Sequence, residues 1–397
     1  MSGVIQAMDR FAEELQAQGH DVAIVVPGVQ SASKESQHVH ELFSFPIPGI
    51  EGLRIGTPLM AHGPLTISGT LDADVEVIHA HSPFVVGRMG ARLAKKRKVP
   101  LVFTCHSIYP EYSDYFPVMA DLAADVIREY VVDYCSVCDL ILAPSPFVRA
   151  MLRKWGVKGR IEILPSGVDL ESLRQFRQTL SGERPTLRNE AAEKLGIDPD
   201  AKFLLFVGRL DHRKNIGFLF QALRQVCGRF DVQLILVGDG PDRQHLQDEA
   251  RQLGVLDRVH FLGKLPFERV VNWYVISDVF CFSSLSETQG LVLVEAMAAG
   301  LPVVALESPT TSWLIEPERT GLLSARSSEA FAHQILRLLD DDVLREEISQ
   351  QAMSAVDAFS LKNLTKRLIS FYELAQERKT RFPRLRRWRI LRRIFDT

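Results

Sequence analysis

The sequence predicts an α/β protein of two doubly wound domains, each a parallel sheet covered by helices, and three observations carry that expectation. Strand-length apolar runs such as Lys202–Val207, Val232–Val237 and Val279–Phe282 read as strands buried on both faces, and they alternate with helical patterns. At 397 residues and 46% hydrophobic content the chain has material for about two or three cores. A polar stretch over 171–200, carrying a short helix over 189–195, reads as a linker. The expected division is an N-terminal domain over 1–175, a C-terminal domain over 176–375 and a basic tail over 376–397.

The first domain opens on a helical pattern, with Ile5, Met8, Phe11 and Leu15 leading to Gly19-His20, and a strand over 22–26 follows. A doubly wound domain begins with an inner strand, so a first strand is expected to be missing ahead of this helix. Strands over 75–79 and 101–105 flank a helix over 87–98, a βαβ unit. Each leads into histidine: His79 and His81 stand in His-Ala-His-Ser-Pro-Phe, and His106 in Thr-Cys-His-Ser. Open α/β sheets bind ligands at the carboxyl ends of their strands, which makes these histidines site candidates beside the plainer reading of satisfied structural residues. Residues 108–117 hold three tyrosines and two prolines without strand or helix periodicity, and read as a site-lining loop or as a packed surface loop. A helix over 119–134, a strand over 140–143 and a strand over 161–164 ending in Pro165-Ser-Gly-Val-Asp169 complete the domain.

The second domain opens on the strand Lys202–Val207, the turn Gly208-Arg-Leu-Asp-His-Arg-Lys214 and a helix over 216–226. Arg209 and Lys214, at a strand end before a helix, are two cations placed to neutralise a diphosphate leaving group. The strand over 232–237 runs into Gly238-Asp-Gly-Pro241, whose glycines allow close backbone approach, with Asp239 read as a capping residue. After strands over 259–264 and 279–282 comes SSLSETQGLVLVEAMAAG, over 283–300. The first-turn amides of its helix, at Gly290, Leu291 and Val292, are unpaired and suit phosphate oxygens. Glu287 would lie at the helix mouth and meet a sugar, while Glu295, a turn inside on the face of Leu291, can accept ribose hydroxyls. The alternative is a charge compensating the helix dipole at Glu287 and a solvated Glu295; the apolar neighbours of Glu295 speak against it. A strand over 302–305 and helices over 331–339 and 342–359 follow.

Five cysteines, an odd number, fit a reducing cytoplasm better than a disulfide framework, and Cys135-Ser-Val-Cys138 lacks the second pair that zinc would need. No run reaches the roughly 18 to 20 apolar residues of a spanning helix, and the start does not form a signal peptide. The formal net charge of −2 conceals an asymmetry: residues 378–397 carry nine Lys/Arg and one acidic residue, leaving 38 Lys/Arg against 48 Asp/Glu elsewhere. From Pro383, Leu385, Trp388, Leu391 and Phe395 follow at near-helical spacing, with Arg386, Arg387, Arg389 and Arg393 largely on other faces. Such a segment suits an anionic membrane surface; nucleic-acid binding, for which no recognition motif is present, and a merely solvated end are the competing uses.

Ser286-Glu-Thr-Gln-Gly-Leu-Val-Leu-Val-Glu295 resembles the Glu-x7-Glu signature of glycosyltransferase family 4, retaining enzymes in which two Rossmann-like domains of the GT-B fold face a cleft. Gly208-Arg-x4-Lys214, Val237-Gly-Asp-Gly-Pro241 and the turn over 165–169, with Ser166 for the usual Asn, fall in the family's order. Gln289 and His81-Ser-Pro-Phe84 resemble the bacterial diacylglycerol glucosyltransferases. The resemblance implies catalytic His106, Glu287, Arg209 and Lys214, with His106 touching the transferred sugar and the donor phosphate. It implies a donor site of Gly3, Gly208, Arg209, Lys214, Gly290, Leu291, Val292 and Glu295, Gly3 being half of a phosphate-facing turn. His81, Tyr109, Glu111 and Tyr115 would stand on the acceptor side, and Arg386, Arg387, Trp388, Arg389 and Leu391 at the membrane. The expected reaction moves a hexosyl group from a nucleotide diphosphate sugar, UDP-glucose, to a lipid such as diacylglycerol, on the cytoplasmic face of the cell membrane, without nucleic acid. Asp72-Ala-Asp74 matches the metal-binding DxD of a different glycosyltransferase fold and Asp340-Asp-Asp342 ends a helix, so no essential metal or other cofactor is expected. A soluble or polysaccharide acceptor is the alternative within the class; a nucleotide-sugar epimerase, a hydrolase or an inactive binder is the alternative outside it.

Overall fold

The computed structural model describes residues 3–27, 39–42, 44–46, 54–56, 74–111 and 120–381. It divides into two compact units, Met1–Gly167 together with Lys362–Thr397, and Val168–Leu361. That division differs from the expected one at both ends. The boundary expected at 175 falls inside a helix, Leu170–Ser181, within the polar stretch read as linker, and the chain returns to the first unit at 362 rather than leaving the second at 375.

In the first unit no described strand precedes the opening helix Gly3–Ala17, which buries Ala7, Phe11, Ala12 and Leu15 along one face. Strand β1 (Ile24–Pro27) pairs in parallel with β2 (Val39–Leu42), and β3 (Ser44–Pro46) pairs antiparallel with β4 (Arg54–Gly56). The main sheet is parallel, in the order β5 (Ile78–Ala80), β6 (Leu101–Thr104), β7 (Leu140–Ala143), β8 (Ile161–Ile163). Its core gathers Phe103, Tyr134, Cys135 and Ile141, all fully buried, so the CxxC thiols belong to packing. The last described element is the helix Leu361–Arg381, which absorbs the first basic residues of the expected tail. Tyr372, Arg367 and Lys379 tie it to this unit through His79, the Ile163 carbonyl and Asp139 respectively.

The second unit is a six-stranded parallel sheet, β9 (Lys202–Val207), β10 (Val232–Val237), β11 (Val259–Gly263), β12 (Val279–Phe282), β13 (Val303–Leu306) and β14 (Leu322–Ser324), in the order β11-β10-β9-β12-β13-β14. Alternation along β9 sends Phe203 and Leu205 into one core and Leu204 and Phe206 into the other, the period-two pattern of a strand covered on both faces. The apolar runs read from the sequence are therefore strands sandwiched between two helical layers. Asp341 caps the helix Asp342–Ala355 by accepting from the Val343 and Leu344 amides, so the triple-aspartate run is helix punctuation.

Candidate active site

The strand order reverses between β9 and β12, so the connections leaving their carboxyl ends run to opposite faces of the sheet and open a crevice between them. The helix after β9, Ile216–Val226, packs into one core; the helix after β12, Leu291–Ala298, packs into the other. Hydrogen bonds join the two connections. Ser283 Oγ donates to the Lys214 carbonyl at 2.8 Å, Ser284 Oγ to the Arg213 carbonyl at 3.1 Å, and the Asn215 side-chain amide to the Ser283 carbonyl at 3.3 Å. They bring residues that are far apart in sequence into register and place Lys214 Nζ in a salt bridge with Glu287 Oε1. Both side chains are largely buried, at 22% and 19% exposure, where an ion pair is screened less than at the surface. Thr310 Oγ1 donates to the Glu287 carbonyl at 2.6 Å and steadies the loop from the other side.

Gly290 adopts φ 72° and ψ 49°, a left-handed cap ahead of Leu291–Ala298 that an L side chain takes only at a cost. Glu295 is 8% exposed and accepts from the Tyr274 hydroxyl at 3.2 Å, which removes the solvated-glutamate alternative. Arg209 is more open, at 53% exposure, with Nε 3.5 Å from Asp211 Oδ2; Arg213 stands at 3.5 Å from the same oxygen. Asp211, buried between the two cations, has no counterpart in the sequence reading, although it lies inside the Arg-x4-Lys spacing; Tyr274 and Thr310 were also missed, since only the folded chain brings them near the glutamates. Gly208 sits where the Gly238 turn crosses: a Cβ on Gly238, at φ +139°, would meet the Gly208 oxygen at 1.8 Å. Asp239 Oδ1 accepts from its neighbour's amide at Gly240, at 2.9 Å, and does not cap a helix; Asp242 holds the N-cap position of Arg243–Gln252.

In the first unit the strand-end histidines come together. His81 Nδ1 lies 2.8 Å from His106 Nε2, their rings stacked at 5.1 Å, and His79 bridges Tyr372 Oη at 2.8 Å and Thr104 Oγ1 at 2.7 Å. Desolvation disfavours the imidazolium form and lowers His79 to about 3 and His106 to about 4, and it carries His81 well below its ordinary value, with His79 and His106 adding to the effect. Tyr109 is 4% exposed: its ring packs edge-on against Phe84 and its hydroxyl donates to the His81 carbonyl at 3.5 Å. The Tyr109 side chain is thus part of the core of this unit. Glu111 is half-buried at the end of a short turn, and Gly3 is the first residue of its helix. Tyr115, Asp72 and the tail residues Arg386, Arg387, Trp388, Arg389 and Leu391 lie outside the described residues. Among the described residues no group of three or more His, Cys, Asp or Glu side chains is arranged to hold a metal ion, and no helix is long and apolar enough to cross a membrane.

This geometry agrees with what comparison with known proteins finds. The family description "Glycosyltransferase Family 4" matches residues 1–172, and "Glycosyl transferases group 1" matches residues 188–354. The chain is 27% identical over 378 residues to an alpha-monoglucosyldiacylglycerol synthase of Streptococcus pneumoniae, covering 94% of this chain and 82% of that protein. It is 29% identical over 329 residues to a GDP-mannose-dependent alpha-mannosyltransferase of Corynebacterium glutamicum, covering 81% of this chain and 73% of that one. Among solved structures it superposes on a sucrose-phosphate synthase of Thermosynechococcus elongatus with a TM-score of 0.75, at 24% identity over 94% of this chain and 93% of that one. Two parallel sheets flanked by helices, a cation–carboxylate pair at the switch point of the second, and matches from both family descriptions lead to one conclusion: the chain is a glycosyltransferase of family 4 with the GT-B fold.

Proposed function

We propose that the protein transfers a glucosyl group from UDP-glucose, with retention at the anomeric carbon, to a diacylglycerol-type lipid at a membrane surface. The observation that carries the donor half is the meeting of Lys214 and Glu287 beside the left-handed Gly290, at the crevice where the strand order reverses. In this reading Arg209 and Lys214, with the amides of Gly290, Leu291 and Val292 and the turn at Gly208, neutralise the departing diphosphate as its charge develops. Glu295 accepts the ribose hydroxyls, Glu287 those of the sugar, and His106 contacts the sugar and the phosphate, with Gly3 on the phosphate side. The acceptor oxygen bonds to the anomeric carbon on the face from which the diphosphate leaves, and its proton passes to the departing phosphate oxygen. Binding energy then acts by positioning, without an enzyme nucleophile.

The acceptor half draws on the glucosyldiacylglycerol synthase relative, on His81, Glu111 and Tyr115 as acceptor-side residues, and on the basic tail as a peripheral anchor on the cytoplasmic face. The GDP-mannose-dependent relative favours a second reading, a mannosyl donor with the same chemistry. Incubation with UDP-glucose or GDP-mannose, with and without diacylglycerol, separates the readings. The expected result is an α-glucosyl lipid, identified by mass spectrometry and anomeric NMR, formed from UDP-glucose alone. Nucleotide release at equal rate without acceptor would indicate a hydrolase, transfer from GDP-mannose only would replace the donor, and no turnover with either would leave a nucleotide-sugar binder.

A further inference from the structure

The geometry points to His81 as a positioning residue that sets the ring orientation and tautomer of His106, backed by His79 and by Tyr372 from the C-terminal helix. The inference rests on the assignment of His106 to the sugar and phosphate given above.

The arrangement follows from strand geometry. His79 and His81 are two residues apart and share a face at the end of β5; Thr104 and His106 share the same face at the end of β6. The parallel register sets His79 opposite Val102, and each β5 histidine bonds two residues further along β6: His79 to Thr104, His81 to His106. The rings of His79 and His81 lie 4.1 Å apart, tilted by 33°, so the three imidazoles form one packed array. Tyr372, from Leu361–Arg381, closes the array at its far end, 2.8 Å from His79 Nδ1, its ring edge-on to His79 at 5.6 Å.

A neutral imidazole has one donor and one acceptor nitrogen, and a cationic one has two donors. Two rings joined nitrogen to nitrogen at 2.8 Å must therefore hold complementary roles, one giving the proton and the other the lone pair. Desolvation keeps all three rings in the neutral form at neutral pH, so this pairing persists there. With Nε2 of His106 engaged by His81, the tautomer of His106 is tied to that of His81. His81 itself has its Nδ1 committed to the ring it steadies. His79, held between a phenol and a hydroxyl, supports the stack from below, which gives the C-terminal helix a part in shaping a site whose residues come from two strands in the first unit.

The test uses the full chain. His81→Ala should lower kcat for transfer about 10- to 100-fold, the range lost when a catalytic group is misaligned, with KM for the acceptor little changed and UDP affinity unchanged. His81→Asn, whose amide nitrogen or oxygen can stand near the Nδ1 position, should recover most of that loss, and added imidazole should partly restore His81→Ala but leave His106→Ala inactive. Tyr372→Phe removes only the hydroxyl and should lower kcat a few-fold. Ring nitrogen shifts of His106 in NMR of labelled protein should report one fixed tautomer in the wild type and a mixture in His81→Ala. Circular dichroism of each variant verifies folding, and His81→Asn keeps the question open to test should His81→Ala fail to fold. A full-rate His81→Ala, a tautomer unaffected by that change, or a rise in acceptor KM with kcat retained would overturn the proposal. Loss of the underlying assignment would look different: His106→Ala would then transfer sugar at the wild-type rate.

Discussion

At the residue scale, the cations in the second unit are not equivalent. Lys214 is held by Glu287 in a largely buried pair, whereas Arg209 is half open and loosely paired with Asp211 at 3.5 Å. On the proposed reading, a donor diphosphate competes with Glu287 for Lys214 and approaches Arg209 more directly. Lys214→Ala or Arg209→Ala should each cost about 2 to 4 kcal/mol of transition-state stabilisation, seen mainly in kcat, and wild-type turnover in both would remove the diphosphate role. The two glutamates should also separate in calorimetry with UDP. Glu295→Ala should weaken nucleotide affinity, since it leaves the Tyr274 hydroxyl buried without its carboxylate and removes the proposed ribose acceptor, while Glu287→Ala should leave affinity intact and damage transfer. Equal losses would dissolve the division between ribose and sugar partners.

At the element scale, two glycine turns make different demands on the backbone. The Gly238 turn passes so near Gly208 that Gly238→Ala must move one backbone or the other, and its φ of +139° is foreign to an L residue. The substitution should lower the melting temperature and weaken nucleotide binding together. Gly254→Ala, also at positive φ but with nothing within 4 Å of its Cβ, should cost only the local strain of about 1 to 2 kcal/mol and leave binding intact. The sheet end of the first unit has a pH signature. His79 and His106 titrate near 3 and 4 in the folded chain but near 6.5 when unfolded, so as pH falls below about 6.5 the unfolded state takes up protons that the native state refuses. The stability these groups confer is complete above that pH and declines down to about 3. Melting curves at pH 7, 6 and 5 should shift downward, and His79→Gln should shallow the slope; an unchanged slope would assign the dependence to other groups.

At the scale of the whole molecule, charge is divided: nine basic residues and one acidic residue in 378–397, against a body rich in carboxylates. Only Arg378–Arg381 of that segment lie within a described helix. If the remainder anchors the protein, deleting 382–397 should abolish co-sedimentation with anionic vesicles and spare UDP binding. Added salt should weaken vesicle binding of the full chain, because attraction between exposed charges is screened over about 8 Å at physiological ionic strength. Equal binding by the deletion variant, or none by the full chain, would leave the tail without a membrane role and favour the soluble acceptor.

The strands of the second unit were legible because burial on both faces demands unbroken apolar runs, and Lys202–Val207, Val232–Val237 and Val279–Phe282 are such runs. The spacing of Glu287 and Glu295 and of Arg209 and Lys214 was legible for a similar reason, since each pair lies within one turn and one helix start and depends on local geometry alone. The helix Leu170–Ser181 escaped because its twelve residues are mostly polar, and Leu361–Arg381 because its last residues were assigned to the basic tail and no element was read over the rest. No local pattern announces that Lys214 meets Glu287, that Tyr274 covers Glu295, or that Tyr372 closes on His79. Those contacts depend on strand order and on which face each connection leaves, and strand order is set by the packing of distant segments. The sequence by itself determined the fold class and the chemistry available at each turn; the tertiary structure decided which groups stand within bonding distance of one another, because only the reversal between β9 and β12 and the stagger between β5 and β6 bring them together.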